Sequence, residues 1–220
     1  MELKELKLPE YAIKHLKEKG ILKLNPPQVK AINSGLLEGE NLLVCSPTGS
    51  GKTMIATLGI VSSLNKKRGK AIYIVPLKAL ASEKLKEYQA FFEKSNLRVT
   101  AATSDMDSDS RWLSSYDIII LTVEKLDSLI RHNAEWIQDT RIVISDEIHL
   151  INDSSRGPTL EIVLTLLRTL CPNVQIIGLS ATIGNPEELA EWLNAKLVVD
   201  DWRPVKLHKG VYLDGEIEFE

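Results

Sequence analysis

The apolar run Leu42-Leu43-Val44-Cys45 stops at Ser46-Pro47-Thr48-Gly49-Ser50-Gly51-Lys52-Thr53 and gives way to a helical pattern, and nothing else in the chain restricts its fold as tightly. A short uninterrupted apolar segment, here 41–45, suits a parallel strand buried on both faces, and apolar residues at Ile55, Ala56, Leu58, Ile60, Val61 and Leu64 suit a packed helix. Between the two, glycines let the backbone approach an anion, successive N–H groups form an inward-facing nest, and the helix offers its positive end. The stretch from Ser46 to Thr53 therefore reads as a phosphate-binding loop for a nucleoside triphosphate, all eight residues lining it. Lys52 is placed to reach the β- and γ-phosphates. The Thr53 hydroxyl is placed to ligate Mg2+, a hard cation that prefers oxygen. The one departure from the G-x-x-x-x-G-K-[ST] pattern is Ser46, where the pattern has glycine.

The same alternation continues along the chain. Strands are expected at 41–45, 71–75, 97–102, 117–121, 141–145 and 174–179, and helices at 53–65, 78–93, 123–132, 158–170 and 186–193. Such a series folds as an α/β domain in three layers, a mostly parallel sheet flanked by helices, with functional loops at the carboxyl ends of the strands. Upstream, 9–19 reads as an amphipathic helix with Pro9 in its first turn and Gly20 as its stop, followed by a loop at Pro26-Pro27. The polar stretch 103–112 reads as a loop, and the basic turn Lys66-Lys67-Arg68-Gly69-Lys70 as a solvated connection away from the phosphate loop.

The run Ile142-Val143-Ile144-Ser145 ends in Asp146 and Glu147. On a strand neighbouring that of the phosphate loop, this pair supplies the second half of a triphosphatase: Asp146 for the metal, Glu147 to orient and deprotonate the attacking water. Lys52, Asp146 and Glu147 are thus the candidate catalytic residues.

A 220-residue chain with 44% hydrophobic residues can bury a full core without staples. Cys45 and Cys171 lie in or beside apolar segments without metal-ligand spacing, so they read as core thiols of a reducing compartment. The N-terminus alternates charge with leucine, and no run reaches membrane-spanning length, which predicts a cytoplasmic protein with no membrane partner. A net charge of −3 excludes a globally basic nucleic-acid binder; any such contact would be confined to one face.

Several further stretches fall in the order of a known family. Asp146-Glu147-Ile148-His149 resembles motif II of superfamily 2 helicases and Ser180-Ala181-Thr182 their motif III. Asn25-Pro26-Pro27-Gln28 resembles the glutamine motif, Pro76-Leu77-Lys78-Ala79-Leu80-Ala81 motif Ia, and the segment from Thr122 to Leu129 motif Ib. With Arg156-Gly157-Pro158-Thr159-Leu160-Glu161 and Trp202-Arg203-Pro204-Val205, the chain is most similar to archaeal Hjm-type DNA helicases of the Ski-like group, over nearly its whole length.

The resemblance implies a RecA-like motor domain over 28–201, with the helix and glutamine-motif loop of 1–27 packed on it and 202–220 leading toward a second RecA-like domain. It implies ATP selected by the Gln28 amide, with Mg2+. It implies nucleic-acid contacts by Pro76, Leu77, Lys78, Ala79, Asp105, Thr122, Glu124 and Lys125, although Thr103-Ser104-Asp105 stands where the family has Ser-Gly-Asp. Ser180, Ala181 and Thr182 would couple the phosphate site to nucleic acid, and so would His149, which could equally be a satisfied half-buried histidine. The implied activity is 3′ to 5′ translocation and unwinding of single-stranded or forked DNA by a monomer, in fork repair or recombination. A Ski-like RNA helicase shares these motifs. A nucleotide-binding adaptor without turnover is the alternative of another class, because the family's second domain supplies arginines that are worth roughly three to five orders of magnitude in rate.

Overall fold

The structure, a computed structural model, describes residues 1–103, 111–206, 210–213 and 215–219. Seven parallel strands form the main sheet: β1 (Leu42–Cys45), β2 (Lys70–Val75), β3 (Val99–Ala102), β4 (Ile118–Thr122), β5 (Thr140–Ser145), β6 (Gln175–Ser180) and β7 (Lys196–Val199). Their order is β3-β4-β2-β5-β6-β1-β7, so β5 and β6 lie between β1 and β2 although they follow both in sequence.

The helices are α1 (Glu10–Glu18), α2 (Pro26–Asn33), α3 (Lys52–Lys66), α4 (Lys78–Phe92), α5 (Val123–Arg131), α6 (Gly157–Leu170) and α7 (Pro186–Leu193). Alternate strand residues point to opposite faces and divide between two cores. Leu42, Val44, Tyr73, Ile142, Ile144 and Ile177 pack with α1 to α4, whereas Leu43, Cys45, Ile72, Val143 and Ile176 pack with α5 to α7. Both sheet faces are covered, which is why the central strands carry continuous apolar runs.

The N-terminal segment belongs to the first core. Leu3, Leu6, Ala12, Leu16 and Leu24 are buried there, and Tyr11 and His15 meet Phe92 and Phe91 of α4 at ring-centroid distances of 6.0 and 4.7 Å. Both cysteines are buried and free, and burial pushes the Cys45 thiol up to about 11. Among the described residues no helix is long and apolar enough to cross a membrane.

Four expectations need correction. Pro26-Pro27 is the first turn of α2 rather than a loop, because proline lacks the N–H that a helix leaves unpaired at its start. Edge strand β7 was not expected; it carries the apolar run Leu197-Val198-Val199, but at the sheet edge Lys196 and Val199 are exposed. Two further strands were not expected in the segment after 201: β8 (Gly210–Leu213) and β9 (Glu216–Phe219) pair antiparallel as a separate two-stranded sheet, with Gly215 at φ 93°. Arg111–Ser115 is a 3-10 turn, so only Thr103 of the described residues is left from the loop expected at 103–112.

Gly157 opens α6 where the chain turns back against itself, and a Cβ there would collide with the Ile151 carbonyl oxygen. Gly157→Ala should therefore cost about 1–3 kcal/mol, since overpacking against backbone is not relieved by a rotamer change. The denaturant midpoint reads this directly; an unchanged midpoint would mean that the turn can open without loss.

Candidate functional site

β1 carries Ser46 to the carboxyl edge of the sheet, where its N–H donates to the Ser180 carbonyl at 3.2 Å. The Ser46 and Ser50 hydroxyls are both buried and 2.8 Å apart. This contact accounts for serine at the position where the loop pattern has glycine: the hydroxyl braces the loop from within. Gly49 and Gly51 have φ of 81° and 95°, a conformation that side chains rarely adopt, and nothing lies within 4 Å of where a Gly49 Cβ would stand. The loop thus presents open, Cβ-free backbone at Gly49. At Gly51 a Cβ would instead strike the Gln28 amide nitrogen.

Gln28 is buried and already engaged. Its Oε1 accepts the Asn25 N–H at 2.9 Å, as in a capping box, and its Nε2 donates to the Gly51 carbonyl at 3.2 Å. The amide thereby ties α2 to the phosphate loop and keeps one N–H and one oxygen lone pair for another partner. α2 is held at its other end by Lys30, which donates to the Val199 carbonyl at 3.0 Å and pairs with Asp200 at 2.8 Å.

The Lys52 ammonium turns back over its own loop, donating to the carbonyls of Ser46 at 2.6 Å and Pro47 at 3.2 Å. Burial pushes its pKa down, against the pull of the Glu147 and Asp146 carboxylates. Lys52 is therefore close enough to feel both acidic groups, which belong to the far side of the site.

That far side is the turn after β5. The Asp146 N–H donates to the Ile74 carbonyl at 3.0 Å, extending the β2–β5 ladder by one residue. Glu147 then takes φ 51°, a left-handed conformation that costs a non-glycine residue about 1–2 kcal/mol. Its N–H donates to Asp146 Oδ1 at 3.1 Å. The strained turn sends the two carboxylates out from adjacent positions on the chain, with Glu147 half exposed at the carboxyl edge.

β5 and β1 are not adjacent, contrary to expectation: β6 runs between them, paired to both. The reason lies in the connections, since the chain crosses from β1 to β2 and returns through β5 and β6 to fill the gap. The intervening strand brings Ser180 into the site. Ser180 Oγ is 3.4 Å from His149 Nδ1, and the same nitrogen is 3.4 Å from Glu147 Oε2. Of the four expected coupling residues, His149 and Ser180 therefore meet, and His149 in turn reaches Glu147. Ala181 is half-buried beyond them and Thr182 is exposed.

The oxygens of Thr53 and Asp146 are linked through two residues that sequence reasoning missed. Lys84 of α4 donates to Thr53 Oγ1 at 2.9 Å and lies 6.0 Å from the Tyr73 ring centroid; the Tyr73 hydroxyl donates to Asp146 Oδ2 at 2.9 Å. Burial raises the Tyr73 pKa well above its ordinary value, which keeps the phenol protonated and donating. Signals for both were present: a tyrosine inside a buried strand needs a partner for its hydroxyl, and Lys84 shares the inward spacing of Ala81, Tyr88 and Phe91. A hydroxyl and a carboxylate form a donor set suited to Mg2+. Among the described residues no three His, Cys, Asp or Glu gather as a metal cage.

The expected nucleic-acid residues divide. Leu77, Lys78 and Ala79 are exposed where α4 begins, beside half-buried Pro76. Glu124 is exposed, but Thr122 and Lys125 are buried: the Thr122 hydroxyl caps α5 by accepting the Lys125 N–H at 3.4 Å. A cap is a task that threonine at a strand-to-helix junction commonly takes, and it turns this hydroxyl away from the surface. Asp105 lies outside the described residues.

Residues 25–189 match the DEAD/DEAH box helicase family. The chain is 55% identical over its whole length to the ATP-dependent DNA helicase Hel308 of Pyrococcus abyssi, covering 30% of that protein. It is 55% identical to Hel308 of Methanocaldococcus jannaschii over 93% of its length and 17% of that protein. Among solved structures it resembles Mycobacterium smegmatis helicase Lhr bound to ssDNA and AMP-PNP, with TM-score 0.74, 29% identity, and coverage of 88% of this chain and 27% of that one. It shares its fold with the DUF1998 helicase MrfA bound to DNA, with TM-score 0.78 at 24% identity over 88% of this chain and 30% of that one. The chain thus spans less than a third of the length of these curated relatives.

Proposed function

Because the chain belongs to the DEAD/DEAH box helicases, we propose that it is the first RecA-like motor domain of an ATP-dependent DNA helicase that moves 3′ to 5′ on one strand and unwinds forked DNA in repair or recombination. The observation that carries this reading is the convergence of the phosphate loop, Asp146-Glu147 and Ser180 at the carboxyl ends of β1, β5 and β6. The 55% identity to proteins named as ATP-dependent DNA helicases supports DNA as the track. We assign the enzyme to the cytoplasm as a monomer, with a second RecA-like domain in cis closing over the nucleotide.

On this reading the backbone N–H groups from Thr48 to Thr53 hold the phosphates. Lys52 exchanges the carbonyls of Ser46 and Pro47 for phosphate oxygens, a swap of partners at one partly buried ammonium. Thr53 Oγ1 and Asp146 would hold Mg2+, which when bound would neutralise phosphate charge. Glu147 orients water and takes its proton. His149, in reach of both Glu147 and Ser180, carries the state of the phosphate side to motif III. The free N–H and lone pair of Gln28 face adenine, and the exposed segment Leu77-Lys78-Ala79 meets the sugar-phosphate backbone, with the start of α4 behind it.

Single-stranded DNA should raise the ATPase rate of the full-length enzyme at least tenfold, and RNA of the same length should not; comparing the two rates checks it at about 1.4 kcal/mol per factor of ten. Equal stimulation by RNA would overturn the DNA assignment in favour of an RNA helicase.

A further inference from the structure

Lys84 holds a place that nothing in the helicase motifs assigns to it. It is buried, it lies on the second turn of α4, and its ammonium donates at 2.9 Å both to Thr53 Oγ1 and to Glu87 Oε2. Glu87, one helical turn further along, is the more exposed partner, with 46% side-chain exposure against 11% for Lys84. Two groups therefore share one ammonium: a hydroxyl on the inner side and a carboxylate on the outer. The Tyr73 ring forms the floor, and the hydroxyl of that ring donates to Asp146.

Thr53 Oγ1 cannot serve both cations without cost. A hydroxyl oxygen that ligates a divalent ion has that charge beside it, and an ammonium within hydrogen-bond distance of the same oxygen is repelled at short range through poorly screening surroundings. Glu87 gives the ammonium somewhere to go without leaving α4 or losing a charged partner. α4 is also the helix whose first turn is the exposed Leu77-Lys78-Ala79 segment.

We propose that Lys84 is a positioning residue that competes with Mg2+ for Thr53, so that metal loading drives its ammonium fully onto Glu87 and the metal site thereby acts on α4. This rests on the ATP reading above. It makes the metal dependence of nucleotide binding, and not only turnover, a property of α4. Lys84→Met removes the charge while keeping most of the buried volume. Glu87→Gln removes the charge of the alternative partner, weakening it, and leaves Lys84 more firmly on Thr53.

The test titrates Mg2+ at fixed fluorescent ATP analogue, with the full-length protein, and records the Mg2+ concentration for half-maximal binding beside the thermal midpoint without nucleotide. Lys84→Met should lower that concentration by about tenfold and Glu87→Gln should raise it by a few-fold, in opposite directions. A Lys84→Met variant that melts earlier but keeps the wild-type Mg2+ midpoint would overturn the proposal and leave Lys84 a structural residue. The same holds if both variants shift the Mg2+ midpoint in one direction. Absence of analogue binding by the wild type at any Mg2+ concentration would instead remove the ATP reading, and this proposal with it.

Discussion

Replacing Glu147 by Gln is expected to lower the DNA-stimulated ATPase rate of the full-length enzyme by about 10²–10⁴-fold, the usual contribution of a positioned general base. Glutamine keeps the length of the side chain but cannot accept a proton at neutral pH. It also keeps the left-handed backbone at φ 51°, so the turn that aims residue 147 is not expected to relax. Affinity for the fluorescent ATP analogue should stay within a few-fold of wild type, because residue 147 contacts the attacking water and not the phosphates. Phosphate release measured beside analogue binding separates the two. A variant retaining more than a tenth of the wild-type rate would assign the proton to another group, and His149, 3.4 Å from Glu147, would be the first to examine.

Lys52→Ala should act on the other axis and weaken binding of the ATP analogue by about 10²-fold or more, since each hydrogen bond to a charged group is worth about 1.5–3 kcal/mol and Lys52 is placed to make more than one. In the structure its partners are the carbonyls of Ser46 and Pro47. Losing those contacts leaves two carbonyls to water at a partly open site, so the thermal midpoint without nucleotide should fall only slightly. A large drop in that midpoint with preserved analogue affinity would show that Lys52 is a brace for the loop and not a phosphate ligand. Together the two substitutions separate holding the triphosphate from cleaving it.

The chemical halves of this site could be read from the chain because each is local. Strand, turn and helix follow one another within the stretch from Leu42 to Lys66, and the glycines that need positive φ sit inside it. Asp146 and Glu147 stand at the end of their own strand. Even the departure at Ser46 is answered locally, by Ser50 four residues on. The Asp214-Gly215 pair that separates Gly210–Leu213 from Glu216–Phe219 is likewise a local turn signal, though only the second of these runs alternates.

Contacts between remote residues followed no such pattern. Gln28 reaches Gly51 across 23 positions, Lys84 reaches Thr53 across 31, and Tyr73 reaches Asp146 across 73. None of these pairs shares a turn or a helical face. They meet because the strand order puts β2 beside β5 and because α4 lies on the sheet face that α3 also covers.

The sequence by itself determined the fold class, the phosphate loop and the identity of the acidic pair, because hydrophobic period and turn chemistry act over a few residues and are written in consecutive ones. Only the tertiary structure decided that β6 stands between the two halves, that His149 lies between Ser180 and Glu147, and that a buried lysine from α4 sits on the expected metal ligand. Those outcomes depend on which strands become neighbours and which helices press on them, a choice made by packing across the whole domain.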